Sequence, residues 1–207
     1  MTSVFQSNIT PEAIAELPLK QFAGRIVVVD TIDSLKGALK MIGAHSIMGF
    51  DTESKPSFQK GKMNKVCMLQ LSLHDTCFIF RLNKIGLSNE LVHILSNPSI
   101  TKVGLSVRDD FHELAKLKHF HPAGFVDLQK YAEDFAIQDK SLKKLSALIL
   151  GIRISKSQQT SNWEAETLTE PQLIYAATDA WVCLEMYKKL REVESLHKKL
   201  SDTIIHD

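Results

Sequence analysis

The order of strand-like and helical segments along the chain is the feature that most constrains its fold. Before Leu128, short apolar runs rich in β-branched and aromatic residues alternate with helical patterns, and from Leu128 onward the pattern is mostly helical. Strands that come early, partly as hairpins, and then alternate with helices are typical of a mixed sheet covered by helices. The chain is therefore predicted to form an α/β domain.

The individual segments are bounded by turn and capping residues. The predicted strands are RIVVVD, SIMGFD, KVCMLQLSL, TCFIFRL, ITKVGLSV and a short GFVDL, with His74-Asp75 as a tight turn between the third and the fourth. The predicted helices include ITPEAIAELP, DSLKGALKMIG, capped by Asp33, and DDFHELAKL, opened by Asp109 and Asp110. The last predicted helix runs through TEPQLIYAATDAWVCLEMYKKLREVESLHKKL.

Composition limits the class of protein and of partner. The 207 residues, 44% hydrophobic and 24% charged, suit one ordinary globular domain, so 1–207 is predicted to be a single domain. The 25 basic and 24 acidic residues nearly cancel, so a nucleic-acid site must be a local patch.

Cys67, Cys77 and Cys183 lack CxxC spacing, which indicates reduced thiols and no zinc site. Because neither a signal peptide nor an apolar stretch of about 18 residues is present, a cytoplasmic location is predicted.

Acidic residues recur at three places where secondary structure brings side chains together. In IMGFDTESKP, a predicted strand ends with Asp51 and Glu53, which lie one residue apart and therefore on the same face. The acidic pair after ITKVGLSV opens a helix, and Tyr175 and Asp179 are four residues apart on one helical face. Taken singly, each place has a simpler explanation, namely a solvated strand end, helix capping and an amphipathic helix.

Taken in order, the three places resemble the motifs of the DEDDy exonucleases. GFDTESKPSFQKGKMNKVCMLQLS, KVGLSVRDDFHEL and SQQTSNWEAETLTEPQLIYAATDAW are similar to the first, second and third motifs of that family, the last with its Ser-Asn-Trp and Leu-Thr-x-x-Gln elements. The resemblance covers about residues 25 to 191 and is greatest to Werner-syndrome-type exonucleases and ribonuclease D. It implies a ribonuclease-H-like α/β fold with a mixed sheet of about five or six strands flanked by helices.

The resemblance also implies the residues of the site. The implied catalytic residues are Asp51, Glu53, Asp110, Tyr175 and Asp179, of which the four acids would hold two divalent ions, Mg²⁺ or Mn²⁺, and the tyrosine would orient the attacking water. In the second motif Asp110 is preferred to Asp109, because its step from Gly104 and the apolar Leu114 after it match the family pattern, and Asp109 is then expected to be the helix cap. Ile174 occupies the position where a sister subfamily has His, so the Tyr variant is present.

The implied activity is that of a 3′→5′ exonuclease that releases nucleoside 5′-monophosphates from single-stranded or recessed 3′ ends. DNA is favoured because DTESKPSF looks more like the Werner type than ribonuclease D, and RNA stays open. Two alternatives are a catalytically silent nucleic-acid-binding or scaffold module on the same fold and an endonuclease of the wider ribonuclease-H-like group. The complete set of acids argues against the first, and the Tyr175–Asp179 spacing argues against the second.

Basic and aromatic side chains near the motifs are candidates for nucleic-acid contacts. Those after the first motif are Lys55, Phe58, Lys60 and Lys62, and those before the third motif are Lys156 and Trp163. Lysines interleaved with one aromatic ring suit a phosphate-tracking loop with a stacking contact, and a plain solvated loop fits equally well. Trp163 also fits a place in the core. Gln70, a polar residue in an apolar run, is predicted to make a structural hydrogen bond.

Overall fold

The structure is a computed structural model that describes residues 4–43, 45–56 and 64–204, with side chains through residue 199. Its strands are β1 (Arg25–Val29), β2 (Ile47–Ser54), β3 (Val66–Ser72), β4 (Thr76–Arg81), β5 (Thr101–Gly104) and β6 (Phe125–Asp127). Its α-helices are α1 (Pro11–Ala15), α2 (Ile32–Ile42), α3 (Leu82–Ile85), α4 (Asn89–Ser96), α5 (Val107–Leu117), α6 (Leu128–Tyr131), α7 (Leu142–Leu150) and α8 (Glu170–Ile204), and a 3-10 turn covers Ala132–Phe135.

The six strands form one mixed sheet in the order β1-β4-β3-β2-β5-β6. Strand β3 is antiparallel to β2 and to β4, whereas β1 with β4, β2 with β5, and β5 with β6 are parallel pairs. The hairpin turn at His74-Asp75 is present, closed by the Leu73 N–H, which donates to the Thr76 carbonyl at 2.8 Å. The predicted mixed sheet flanked by helices is therefore confirmed.

Helices cover both faces of the sheet, and two of its inner strands are buried throughout. Every residue of β3 and β4 is buried, as expected of strands that lie between two helical layers. One face packs on apolar residues of α2, α4 and α5. The other face packs on α7 and α8. Strand β2 lies near the middle of the sheet, with its carboxyl end beside α8.

The start of helix α8 is held by a reciprocal cap. The Thr169 N–H donates to Gln172 Oε1 at 2.9 Å, and the Gln172 N–H donates to Thr169 Oγ1 at 3.4 Å. This is the capping-box arrangement of a Thr followed three residues later by a Gln. It gives a physical reason for the Leu-Thr-x-x-Gln element of the third motif, because the cap sets where the helix that carries Tyr175 and Asp179 begins.

Two predicted helix starts are wrong by one or two residues. Helix α2 is capped by Thr31, whose Oγ1 accepts from the Ser34 N–H at 3.2 Å, and Asp33 lies inside its first turn. Helix α5 begins at Val107, so Asp109 and Asp110 both lie in its first turn and Asp109 is not its cap. Ser106, with φ of 54°, turns the chain in the left-handed region and starts the helix early.

Two further findings concern the cysteines and the helices as a whole. The three cysteines are free and buried. Among the described residues, no helix combines the length and the apolar character needed to cross a bilayer.

Candidate active site

Three carboxylates from two elements converge beside the end of β2. Asp51 and Glu53 project from the same side of β2 because side chains alternate along a strand. Asp179 approaches from helix α8, which packs over that side of the sheet. One ligand oxygen from each of the three acids lies within 4.8 Å of the others. The structure thus brings together three of the four acids proposed as metal ligands.

Asp110 lies at the edge of this cluster and is held by a different contact. Its carboxylate accepts a short hydrogen bond from the Oγ1 of Thr52, the residue between Asp51 and Glu53. The charge of Asp110 still contributes to raising the pKa of both Asp51 and Glu53. Asp109 is exposed. It is therefore Asp110, rather than its neighbour, that contacts β2.

All four acids have a raised pKa, and burial is the largest cause in each case. The pKa of Asp51 is raised well above its ordinary value, first by burial and then by the charges of Glu53, Asp179 and Asp110. Burial and the nearby acids also raise the pKa of Glu53, and burial raises the pKa of Asp110 to about 7 despite the Thr52 hydrogen bond. The pKa of Asp179 is raised by burial, which outweighs the hydrogen bond from Tyr175. Burial and mutual repulsion thus disfavour ionising all four acids together unless a cation compensates their charge.

Tyr175 lies one helical turn before Asp179 and links that acid to the core. Its hydroxyl and the Asp179 carboxylate interact and each affects the pKa of the other, and its ring lies 5.8 Å from that of Trp163 at an interplanar angle of 32°. Burial and the charges of Asp179, Glu53 and Asp51 raise the pKa of the phenol above its ordinary value. The hydroxyl therefore stays protonated at neutral pH and acts as a hydrogen-bond donor rather than a base.

Trp163 is a core residue in this structure. Its side chain is 0% exposed and lies in the cluster that packs β3 and β4 against α8. The loop around it is anchored at several points: Arg81 donates to the Ala165 carbonyl at 2.6 Å, and Lys84 pairs with Glu166 at 2.7 Å. The core position that the sequence allowed for Trp163 is therefore the one observed, and there its ring supports Tyr175. A contact of Trp163 with nucleic acid stays a prediction.

The other proposed nucleic-acid contacts fall into three groups. Lys55 is half exposed and pairs with Glu164 at 3.6 Å, which ties the end of β2 to the loop before α8. Lys156 is exposed, and its charge offsets part of the rise in the pKa of Asp179 that burial causes. Phe58, Lys60 and Lys62 lie outside the described residues.

A cavity of about 430 Å³ opens beside Tyr175 and Asp179. Its basic and amide side chains are Gln129, Lys140, Lys143, Lys156 and Gln159. Sequence reasoning found only Lys156 among them. Lys140 and Lys143 flank Ser141, the N-cap of α7, and the only sequence signal for them is a basic cluster at a helix start. Their position at the site follows from the packing of α7 on α8.

Gln70 does not make its predicted structural hydrogen bond. The residue is buried in the middle of β3, yet neither its side-chain nitrogen nor its side-chain oxygen has a hydrogen-bond partner among the described residues. It lies opposite Asp51 in the β2–β3 register. Gln70 therefore lies beside the carboxylates, and no hydrogen bond from the described residues accounts for its polar side chain.

Comparison with known proteins places this arrangement in a family. Residues 26–194 match the family described as 3'-5' exonuclease. The chain belongs to the 3'-5' exonuclease family. It is 31% identical over 184 residues to the mouse bifunctional 3'-5' exonuclease/ATP-dependent helicase WRN, covering 84% of this chain and 13% of that protein. It is also 31% identical over 193 residues to the human exonuclease mut-7 homolog, covering 78% of this chain and 22% of that protein. The chain thus spans less than a quarter of either relative.

Solved structures of exonuclease domains share the fold. The Nibbler EXO domain of Aedes aegypti superposes with a TM-score of 0.71 at 23% identity, covering 84% of this chain and 91% of that one. The catalytic core of RRP6 from Trypanosoma brucei gives 0.74 at 18% identity, covering 90% and 53%. T. brucei RNase D in complex with RNA U12 gives 0.70 at 20% identity, covering 86% and 64%. The predicted ribonuclease-H-like fold and the resemblance to DEDD-type exonucleases are confirmed.

Proposed function

We propose that this exonuclease domain is a metal-dependent enzyme that removes nucleoside 5′-monophosphates from the 3′ ends of nucleic acid, with DNA as the favoured substrate. The observation that carries the proposal is the convergence of Asp51, Glu53 and Asp179 within 4.8 Å, in a chain of the 3'-5' exonuclease family. The two remaining residues of the family motif lie next to this cluster. Tyr175 interacts with Asp179, and Asp110 accepts a hydrogen bond from Thr52.

The donor set fits a hard divalent cation. Every ligand in the cluster is a carboxylate oxygen, which is the ligand type of Mg²⁺ and Mn²⁺. Asp51, Glu53 and Asp179 would hold the ions, with Asp110 beside them on Thr52. When bound, two such ions stabilise the charge on the scissile phosphodiester and lower the pKa of the attacking water.

The residues around the cluster would position the substrate. The protonated hydroxyl of Tyr175 can orient the attacking water, because its raised pKa keeps the hydrogen in place. The cavity beside Asp179 would supply Lys143 and Lys156 to the phosphate backbone, while Lys140 in its lining pairs with Glu133. Lysine ammonium groups bind phosphates without regard to base, so this path suits a single strand of any sequence.

The choice of DNA rests on likeness to the Werner type. The mouse WRN protein, named as an exonuclease and helicase, is 31% identical over 84% of this chain. RNA is the second candidate because several solved neighbours are RNase D proteins, one of them bound to RNA. A protein distinguishes the two substrates through the 2′-hydroxyl.

The decisive experiment is a digestion assay with purified protein and Mn²⁺. Matched DNA and RNA oligonucleotides, labelled at the 5′ or the 3′ end, would be tested beside Asp51→Ala, Asp110→Ala and the exposed neighbour control Asp109→Ala. We expect shortening from the 3′ end that is lost in Asp51→Ala, reduced at least about 10²-fold in Asp110→Ala, and retained in Asp109→Ala.

Other outcomes would redirect the assignment. Stoichiometric binding of oligonucleotides without turnover would favour the silent binding module. Cleavage of a circular strand would favour an endonuclease. Full digestion by a folded Asp51→Ala variant would contradict the metal-dependent mechanism.

A further inference from the structure

Gln70 is placed where it can act on the central carboxylate of the site. In the antiparallel β2–β3 pair, Gln70 lies directly opposite Asp51, while Met68 lies opposite Glu53 and Ser72 opposite Gly49. Residues directly opposite in an antiparallel pair present their side chains on the same face, with Cβ atoms about 4.5–5.5 Å apart. A glutamine amide can reach a carboxylate across such a pair.

Stability does not explain an amide at this position. The Gln70 side chain is 0% exposed, and both of its polar atoms lack a partner among the described residues. A buried amide that has lost its hydrogen bonds to water and gained none lowers the stability of the fold. An apolar side chain of similar length would fill the same space, on a strand whose other positions are mostly apolar, without that cost.

Arg81 and Trp163 also have a buried nitrogen without a hydrogen-bond partner among the described residues, but other contacts explain why they are there. Arg81 lacks a partner at Nε but still donates to the Ala165 carbonyl at 2.6 Å, and Trp163 packs its ring on Tyr175. Both therefore have structural contacts that account for their presence. Gln70 has a carboxylate as its cross-strand neighbour and, in the part of the chain that the structure describes, no hydrogen-bond partner for its side chain.

We infer that Gln70 is a positioning residue for Asp51: its side-chain N–H donates to the Asp51 carboxylate when that group is ionised and holds a divalent cation. This inference rests on the proposed function, since it requires the cation. A carboxylate has more acceptor positions than one cation uses, and hydrogen bonds from neighbouring residues fix the orientation of metal-binding groups. Asp51 needs such support most, because the charges of Glu53, Asp179 and Asp110 all act on it.

The test compares Gln70→Met with Ser72→Ala, a control that removes another buried polar group from the same face of β3, two residues away. Each protein would be melted without metal and over a Mn²⁺ titration, and the Mn²⁺ concentration for half-maximal digestion would be measured. We expect metal-free Gln70→Met to melt at or above the wild-type temperature, while its half-saturating Mn²⁺ concentration rises about 10–100-fold. At saturating Mn²⁺, its digestion rate should largely recover. Ser72→Ala should keep the wild-type Mn²⁺ dependence.

A structural role predicts the opposite pattern. If Gln70→Met melts lower without metal and keeps the wild-type Mn²⁺ half-saturation, the positioning role is overturned. If the wild-type protein binds no Mn²⁺, the proposed function itself fails, and the inference fails with it. That result comes from the wild-type titration alone, so the two failures can be distinguished.

A second measurement needs no substitution. In the wild-type protein, the side-chain amide protons of Gln70 should move downfield and exchange more slowly with solvent when the diamagnetic ion Mg²⁺ is added, because a charge-assisted hydrogen bond has formed. Unchanged amide resonances under conditions where Mg²⁺ raises the melting temperature would overturn the inference.

Discussion

Two neighbours define the surroundings of Tyr175 and thereby its chemistry. The Trp163 ring packs on one side of the phenol, and the Asp179 carboxylate interacts with its hydroxyl. Because burial and nearby negative charge both oppose loss of the phenolic proton, the pKa of Tyr175 is raised. The residue can thus orient a water molecule or an oxygen of the substrate, but it is a poor general base.

At this scale we predict that Tyr175→Phe keeps the fold and loses turnover. The phenylalanine ring retains the packing on Trp163, so the melting temperature should change little. Without the hydroxyl, the attacking water is misplaced, and kcat should fall by about 10²-fold with KM nearly unchanged. Steady-state digestion of a 3′-labelled oligonucleotide measures both constants. A raised KM with unchanged kcat would instead assign Tyr175 to substrate binding.

The crossing of β2 and α8 is the contact between elements that assembles the site. A Cβ atom on Gly49 would overlap the Ala180 carbonyl group, lying only 2.8 Å from its carbon and nearer still to its oxygen. Glycine therefore allows the backbone of α8 to approach β2 closely. Since Asp179 precedes Ala180 in the chain, this approach brings Asp179 to Asp51 and Glu53.

Gly49→Ala should accordingly separate the two elements. The added methyl group meets backbone that cannot rotate away, so we expect a loss of about 1–3 kcal/mol in the free energy of unfolding and weaker Mn²⁺ binding. Gly37→Ala is the matched control, because a Cβ atom there meets nothing within 4 Å and alanine favours the helix. Denaturant unfolding and Mn²⁺ titration of both variants check this prediction. Equal stability of the two variants would show that α8 can shift without cost.

Over the whole molecule, the carboxylate cluster couples stability to pH and to metal. An acid whose pKa is raised by folding binds protons more tightly in the folded state than in the unfolded state, so stability falls as pH rises through the interval between the two values. For Asp110 this interval runs from the ordinary value of about 4 in the unfolded chain to about 7 in the folded protein. The metal-free protein should therefore carry its largest electrostatic penalty above pH 7.

We predict that Asp110→Asn, which is neutral at every pH, melts increasingly higher than wild type as the pH rises from 5 to 8 without metal. Mn²⁺ should raise the melting temperature of the wild type, and by more at pH 7.5 than at pH 5.5, because the cation must displace protons. Asp109→Asn controls for the loss of an exposed charge. A pH-independent difference between Asp110→Asn and wild type would contradict the assigned pKa.

Much of the fold and part of the site are predictable because they depend on local periodicity. Alternation along a strand puts Asp51 and Glu53 on one face, and a helical turn puts Tyr175 beside Asp179. The order of apolar segments likewise indicates the mixed sheet. The starts of α2 and α5 were harder to predict, because competing side-chain caps and one left-handed residue, Ser106, decide them.

What the sequence determined by itself is therefore the set of elements, the type of sheet and the acids that share a face. Only the tertiary structure decided that Thr52 holds Asp110 at the edge of the cluster, that Trp163 is buried under Tyr175, and that Gln70 faces Asp51. It also brought Lys140 and Lys143 to the cavity beside Asp179. Such contacts join segments far apart in the chain, and the packing of helices on the sheet, which the periodicity of one segment does not specify, determines which side chains meet.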